Sequence, residues 1–343
     1  MNGEFDNTGI QRPDIQQEVN TTGEPGGTMP PNLSAGSGLP AWLTEQNILT
    51  QLARKGRKGF VLPVEILIFF AVFIIAQILP GMIISTFTIF VLFATGNYSD
   101  VDALQSMIEN DPVYLLINIF VILFVLLACF VYCLAIEHRP VQSMGFRGKD
   151  FVLQYLKGLL VGVVLFSVVV GLGTLLGAFR FVGIVETAPM MLFLYFLFFI
   201  VQGMEEEVLC RGYFMVSLTR RSSAIAAVIA NSLAFAALHL LNPGLTVLSV
   251  VNLILFGVFA SLYMLRTGNI WGVGAIHTIW NYAQGNIFGL PVSGLFTDNA
   301  TFFDFEQTGS ALLNGGEFGP EGGLLVTIVY VVGILAVVYW KRK

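Results

Sequence analysis

The chain has 343 residues, 55% of them hydrophobic and only 11% charged, with 17 Lys and Arg against 22 Asp and Glu for a net charge of −5. An ordinary soluble domain carries about 25% charged residues. A deficit this large excludes a typical cytosolic enzyme, and equally a disordered or nucleic-acid-binding chain, since both need charge.

Residues 1–41 are rich in Gly, Pro, Asn, Thr and Ser and cluster almost no apolar side chains. Such a stretch cannot bury a core and is expected to be disordered. It has no cationic start followed by a short apolar stretch, so no cleavable signal peptide is expected. Over 42–53, Trp42, Leu43, Ile48, Leu49 and Leu52 lie on one side of a short interfacial helix. The cluster Arg54, Lys55, Arg57 and Lys58 follows. Residues 1–58 are therefore read as an N-terminal region and 59–343 as the membrane domain.

Apolar runs then occupy roughly 60–94, 113–136, 152–178, 188–204, 223–241, 245–265, 270–289 and 323–340. A crossing helix needs about 20 such residues. The expected fold is all-α, a polytopic membrane helix bundle. The first run is long enough to cross twice and contains Pro80-Gly81, a kink signal. Charge decides between one crossing and two, because cations flank the cytoplasmic ends of spans. Strong positions are 54–58, Arg139/Arg147/Lys149, Arg220-Arg221, Arg266 and Lys341-Arg342-Lys343; weak ones are 95–112, 179–187, 242–244 and 290–322. Strong and weak ends alternate if each run crosses once. That gives eight transmembrane helices, both termini in the cytoplasm, and lipids around the bundle. Cys129 and Cys133 read as packable membrane residues and Cys210 stands alone, with no disulfide framework or zinc spacing.

Ionisable groups inside spans are costly and are functional candidates by default. Three places stand out. In Glu205-Glu206-Glu207-Val208-Leu209-Cys210-Arg211, Glu207 and Arg211 have the i,i+4 order that favours an ion pair. Glu206 points about 100° away from Glu207 on a helix, free to face another neighbour. The blander reading is a solvated helix end, but Tyr213, Phe214, Met215 and Val216 are too apolar for it. His239 follows Phe235 within the fifth run, where a core histidine bonded to a carbonyl is the plain alternative. His277 and Asn281 share a face one turn apart in the seventh run; a polar helix–helix contact is the plain alternative there. His138, between Glu137 and Arg139, reads as a solvated loop residue.

The fourth and fifth helices should turn near Thr219–Ser222. At ~1.5 Å rise per residue, Glu206 and His239 then differ in depth by only about 5 Å. His277 enters from the same side. The converged set suits acyl hydrolysis by water. Glu206 and His239 can act as general base, His277 and Asn281 can donate to an oxyanion, and Glu207 and Arg211 can orient the site. Glu206, His239 and His277 can instead ligate zinc, although the H-E-x-x-H spacing is absent.

The ordered triple E-E-x-x-x-R (206–211), F-x-x-x-H (235–239) and H-x-x-x-N (277–281) resembles the CPBP family. That family comprises CAAX prenyl proteases and bacteriocin-processing enzymes, also called the Abi family of intramembrane proteases. The resemblance covers roughly 188–289. The segment Arg139-Pro140-Val141-Gln142-Ser143-Met144-Gly145-Phe146 is similar to one such proteins often carry upstream. The resemblance implies an eight-helix intramembrane endopeptidase with a cavity open to the cytoplasm, acting on membrane-associated or lipidated protein or peptide substrates in a bacterial cell membrane. It implies that Glu206 and His239 activate water, His277 and Asn281 hold the oxyanion, and Glu207 and Arg211 support them. The family has been classed both as metalloprotease and as glutamate-dependent, so zinc on Glu206, His239 and His277 stays open. Two other classes compete. A non-enzymatic scaffold, or a partner-binding protein in bacteriocin self-immunity or secretion, would use the same residues to hold helices together. A transporter would be expected to show an inverted repeat, and none is visible. The 290–322 loop, rich in Gly, Phe and acids, has no role legible in its sequence.

Overall fold

Each of the eight apolar runs forms a helix in the computed structural model of the chain, which describes residues 39–95, 112–295 and 300–340. The disorder expected of residues 1–41 falls, except for 39–41, outside the described residues. So do most of the acidic loop after residue 95 and the Lys341-Arg342-Lys343 end.

The short amphipathic stretch near the N-terminus forms α1 (Ile48–Ala53), capped by the Asn47 side chain on Leu49 N, with Leu49 and Ala53 buried. The long helices are α2 (Leu62–Thr95), α3 (Pro112–Val131), α4 (Phe151–Leu175), α5 (Pro189–Glu207), α6 (Ala224–Leu238), α7 (Val247–Thr267), α8 (Trp271–Tyr282) and α9 (Leu324–Tyr339). Pro80 lies within α2, which runs through it as one helix. Among the described residues, four segments are long and apolar enough to cross a membrane: Leu62–Thr86, Leu115–Ile136, Phe151–Leu175 and Val247–Thr267. Leu67, Ile75, Met82, Leu127, Leu160 and Val164 are exposed on their outer faces. Water would not tolerate so continuous an apolar exterior, whereas lipid requires one. The architecture is an all-α membrane helix bundle.

The bundle is layered. α8 is buried from Gly272 to Asn281 and is sheathed by α4 and α5. α7 packs between α6 and α9, and α3 between α2 and α5. Glycines set the closest approaches. Gly158 and Gly162 of α4 have the small-xxx-small spacing that lets helix backbones touch. A Cβ on Gly158 would lie 2.3 Å from Gly272 O, and one on Gly162 2.8 Å from Ile276 O. On α5, a Cβ on Gly203 would lie 2.7 Å from Thr278 N. That contact brings the next turn of α5 beside His277.

Among the described residues, three helices end in wide π turns: α3 at Tyr132–Ile136, α5 at Val208–Met215 and α8 at Ala283–Ile287. Such turns change the direction of the side chains that follow and are frequent at functional sites. The α5 turn is buried throughout.

One end of the bundle is fastened by buried charge whose role the sequence does not show. His138 is indeed exposed, at φ 52°, but Glu137 and Arg139 beside it are only 2% and 1% exposed. Arg139 pairs with Glu137 and donates to Ser143 Oγ, Cys133 Sγ, Gly212 O and Tyr213 O. Arg220 pairs with Glu137 and Glu65. These bonds join α2, the α3 end and the α5 π turn.

Two segments read as plain loops contain a small sheet. β1 (Phe179–Ile184) pairs antiparallel with β2 (Phe303–Gln307), with an irregularity between Phe181 and Gly183. Their exposed pair Arg180–Glu306 lies across the ladder. The 290–322 segment is thus tied to the chain ahead of α5.

Candidate active site

The α5 helix ends on three consecutive glutamates, and each meets a different environment. Glu205 and Glu207 are buried, whereas Glu206 is partly exposed to a cavity of about 340 Å³. Glu205 is not among the residues that line it.

Glu207 is the hub of the buried side. Its Oε1 accepts from Arg211 Nη1 at 2.9 Å and from His277 Nδ1 at 2.9 Å. Arg211 is fully buried, with its guanidinium 4.4 Å from the Phe235 ring centroid and 5.3 Å from that of Phe256. Aromatic faces stabilise a desolvated cation that has only one carboxylate partner. The Phe of F-x-x-x-H therefore has two jobs. Its ring covers Arg211, and its backbone oxygen accepts from His239 Nδ1 at 2.9 Å.

Both imidazoles thus use Nδ1 as donor, which leaves Nε2 of each ring for the cavity side. Glu206 Oε2 lies 3.9 Å from His239 Nε2 and 3.8 Å from His277 Nε2. This oxygen has no hydrogen-bond partner of its own. The other, Oε1, accepts from Gln202 Nε2. Gln202 Oε1 in turn accepts from Asn281 Nδ2 at 3.0 Å. Asn281 is therefore connected to Glu206 through a residue the sequence reading missed. The signal was present, because Gln202 and Glu206 stand at i,i+4 on one face of α5. Tyr155 OH and Thr278 Oγ1, 3.0 Å apart, fasten α4 to the far side of α8.

All six residues singled out from the sequence meet in this place. Glu206, His239, His277 and Asn281 line the cavity, and Glu207 and Arg211 stand behind them. The gap between Glu206 Oε2 and the two Nε2 atoms suits a water that donates to the carboxylate and to a ring. Zinc would demand closer donors. Metal–ligand bonds of about 2.0–2.1 Å in a tetrahedron put ligand atoms about 3.3 Å apart. Among the described residues no group of three or more His, Cys, Asp or Glu side chains is arranged to hold a metal ion. As placed, the donor set has the right chemistry for zinc and too wide a spacing.

The rest of the wall has two characters. Aromatic side chains, including Phe198, Phe199, Phe256, Trp280 and Tyr330, make much of its apolar part. A second polar group comes from elsewhere in the chain: Asn242, Asn252, Ser293 and Glu321. The 290–322 segment supplies the last two.

Residues 187–283 match the family model described as Rce1-like, type II CAAX prenyl endopeptidase. The match contains every one of the six residues and supports the resemblance read from the three motifs. It supports a CAAX-type intramembrane endopeptidase in general terms. No curated protein and no solved structure matches the chain.

Proposed function

We propose that the chain is a glutamate-dependent intramembrane endopeptidase that hydrolyses peptide bonds of membrane-associated or lipidated proteins or peptides. The observation that carries this reading is the unpartnered Glu206 Oε2 facing two histidine Nε2 atoms inside a cavity walled by apolar helices. Unpaired carboxylates are costly at such depth, and general-base chemistry is a reason to keep one.

In this reading a water sits between Glu206 Oε2 and the His239 ring. Glu206 takes its proton as the oxygen attacks the substrate carbonyl carbon. The carbonyl oxygen becomes an oxyanion and accepts hydrogen bonds from Asn281 Nδ2, which has a second N–H beyond the one given to Gln202, and from His277 Nε2. For Nε2 to donate, the His277 ring carries both protons, with Glu207 as its counter-ion at Nδ1. The tetrahedral intermediate then collapses. The C–N bond breaks, and Glu206 returns its proton to the leaving amine. Arg211 holds Glu207 in place throughout. Following the cation distribution, both termini lie on the cytoplasmic side; the same rule puts Asn242, Ser293 and Glu321, which line the cavity, toward the opposite, cation-poor end, against the cytoplasmic opening that the resemblance implies.

The test is a survey of peptide termini in membranes of cells expressing wild type or Glu206→Ala at equal levels. New termini with wild type alone are expected. Identical termini, in a host expressing a membrane-anchored reporter substrate that wild type should cut, would favour the scaffold reading instead. Zinc is tested on the purified chain. Turnover should survive chelation by 1,10-phenanthroline, and loss restored by zinc would assign Glu206, His239 and His277 to a metal.

A further inference from the structure

We propose that Glu321 gives this site its substrate preference, by receiving a cationic side chain of the peptide close to the scissile bond. The inference rests on the proteolysis reading above and names its substrate class.

Glu321 belongs to the 290–322 segment, far from the three motifs in sequence, yet it lines the same cavity as Glu206. It is only 8% exposed. Its Oε2 accepts from Ser293 N at 2.8 Å and Ser293 Oγ at 2.7 Å. Its other oxygen accepts no hydrogen bond among the described residues, and the carboxylate is in no ion pair there. Buried carboxylates are ordinarily paired, so this one is held ready for a partner that the described residues do not supply.

The position is built. Asn252 Nδ2 donates to Glu321 O at 2.7 Å and to Gly323 O at 2.9 Å, and Thr327 Oγ1 fixes the Asn252 amide by donating to its Oδ1 at 2.6 Å. On the other side Asn242 Nδ2 donates to Ser293 O at 2.8 Å. Ser293 holds a left-handed backbone, φ 49°, that side chains other than glycine's rarely adopt. α7, α9 and the loop after α6 thus together anchor one carboxylate.

Charge selects the occupant. Among the described residues no Lys or Arg lines the cavity, while Glu206 and Glu321 both do. A lysine or arginine side chain entering it meets attraction, and an acidic side chain meets repulsion in a poorly solvated space. The same argument weighs against a free C-terminal carboxylate lying inside the cavity, so cleavage beside an internal basic residue is favoured over release of a short C-terminal peptide held there.

The experiment uses the purified full chain and quenched-fluorescent peptides carrying a lipid anchor. The peptides are identical except for Lys, Gln or Glu at one position, scanned across the residues flanking the scissile bond. At one position wild type should favour Lys over Glu in kcat/KM by about tenfold to hundredfold, the range of a hydrogen bond to a charged group, and the ratio should shrink with salt. Glu321→Gln should bring the ratio close to one, and Glu321→Asp, which keeps the charge, should preserve its direction. A charge-blind wild type, or a preference that Glu321→Gln leaves intact, overturns the inference. If Glu321→Gln does not fold, the wild-type ratio and Glu321→Asp decide. Cleavage that Glu206→Gln abolishes but that ignores substrate charge sinks this inference alone. No cleavage by wild type, or equal cleavage by Glu206→Gln, sinks the proteolysis reading with it.

Discussion

Two buried charge clusters lie along α5 and its π turn, and they are finished differently. In the fastening cluster, Arg220 donates from Nε to Ser217 O, from Nη1 to Arg57 O and from Nη2 to Glu65 and Glu137. Arg139 is likewise bonded through all three of its nitrogens. In the active-site cluster, Arg211 uses only Nη1, and its Nε and Nη2 have no partner. Glu206 Oε2 and Glu207 Oε2 are unpartnered too. A buried charge left incompletely bonded lowers stability. The first cluster, although Glu65 Oε2 also lacks a partner, has both its guanidinium groups fully engaged and so comes closer to what a structural network should do. The second gives up bonding where a cavity admits water and substrate. The clusters touch, because Arg139 grips Gly212 O and Tyr213 O in the turn that carries Arg211.

The contrast is broken most sharply by removing one atom's worth of chemistry. Glu206→Gln keeps the shape and should lower kcat by about 10²–10⁴-fold, the usual contribution of a general base, with the unfolding midpoint in detergent nearly unchanged. A variant that loses both together would return Glu206 to the structural class. Arg220→Met should do the opposite. Removing one partner of a buried network leaves Glu65 uncompensated and Glu137 with Arg139 alone and costs about 3–5 kcal/mol, seen as a lower thermal midpoint, while turnover per folded molecule persists.

Gln202→Leu sharpens the comparison at smaller scale. It cuts the link from Asn281 to Glu206 and leaves the buried Asn281 donor and the Glu206 Oε1 acceptor unmet, which costs about 1–3 kcal/mol. A fall in kcat with little change in KM is expected, and a change in KM alone would remove Gln202 from the positioning chain. The smallest effect belongs to an ordinary surface pair, outside the membrane-spanning helices. The hydrogen bond from Arg54 to Glu45, 2.7 Å, and then the Arg54 charge hold the Glu45 carboxyl below its ordinary 4.5. A carboxylate with a lowered folded-state value contributes stability above its unfolded value and loses it as pH falls through the folded one. Both side chains are substantially exposed, so the pair is worth about 0–1 kcal/mol. Glu45→Gln should differ from wild type by no more than that at neutral pH, and the difference should vanish in acid.

Much of this was legible in the chain. Eight apolar blocks became eight helices, since lipid forces every backbone group into internal hydrogen bonds and leaves a helix as the answer for such a run. Glu206, His239, His277 and Asn281 stood out because polar groups in those blocks need a reason. The plain reading of His239 as a histidine bonded to a carbonyl describes its Nδ1, and the functional reading concerns its Nε2. The burial of Arg139 and Glu137 was not legible, because they sit in a polar loop. Their burial depends on Gly212, Tyr213 and Ser217, more than 70 residues away.

The sequence by itself determined the solvent this protein lives in, the helical class and the identity of the motif residues. These are local properties, set by hydropathy and by side-chain spacing along one helix. The tertiary structure alone decided the pairing of β1 with β2, the route by which Gln202 joins Asn281 to Glu206, and the return of the 290–322 segment to place Glu321 in the cavity wall. Those depend on which backbones approach closely, through Gly158, Gly162 and Gly203, and on single hydrogen bonds between distant residues. Such contacts leave no periodic mark in a chain and exist only once the helices have packed.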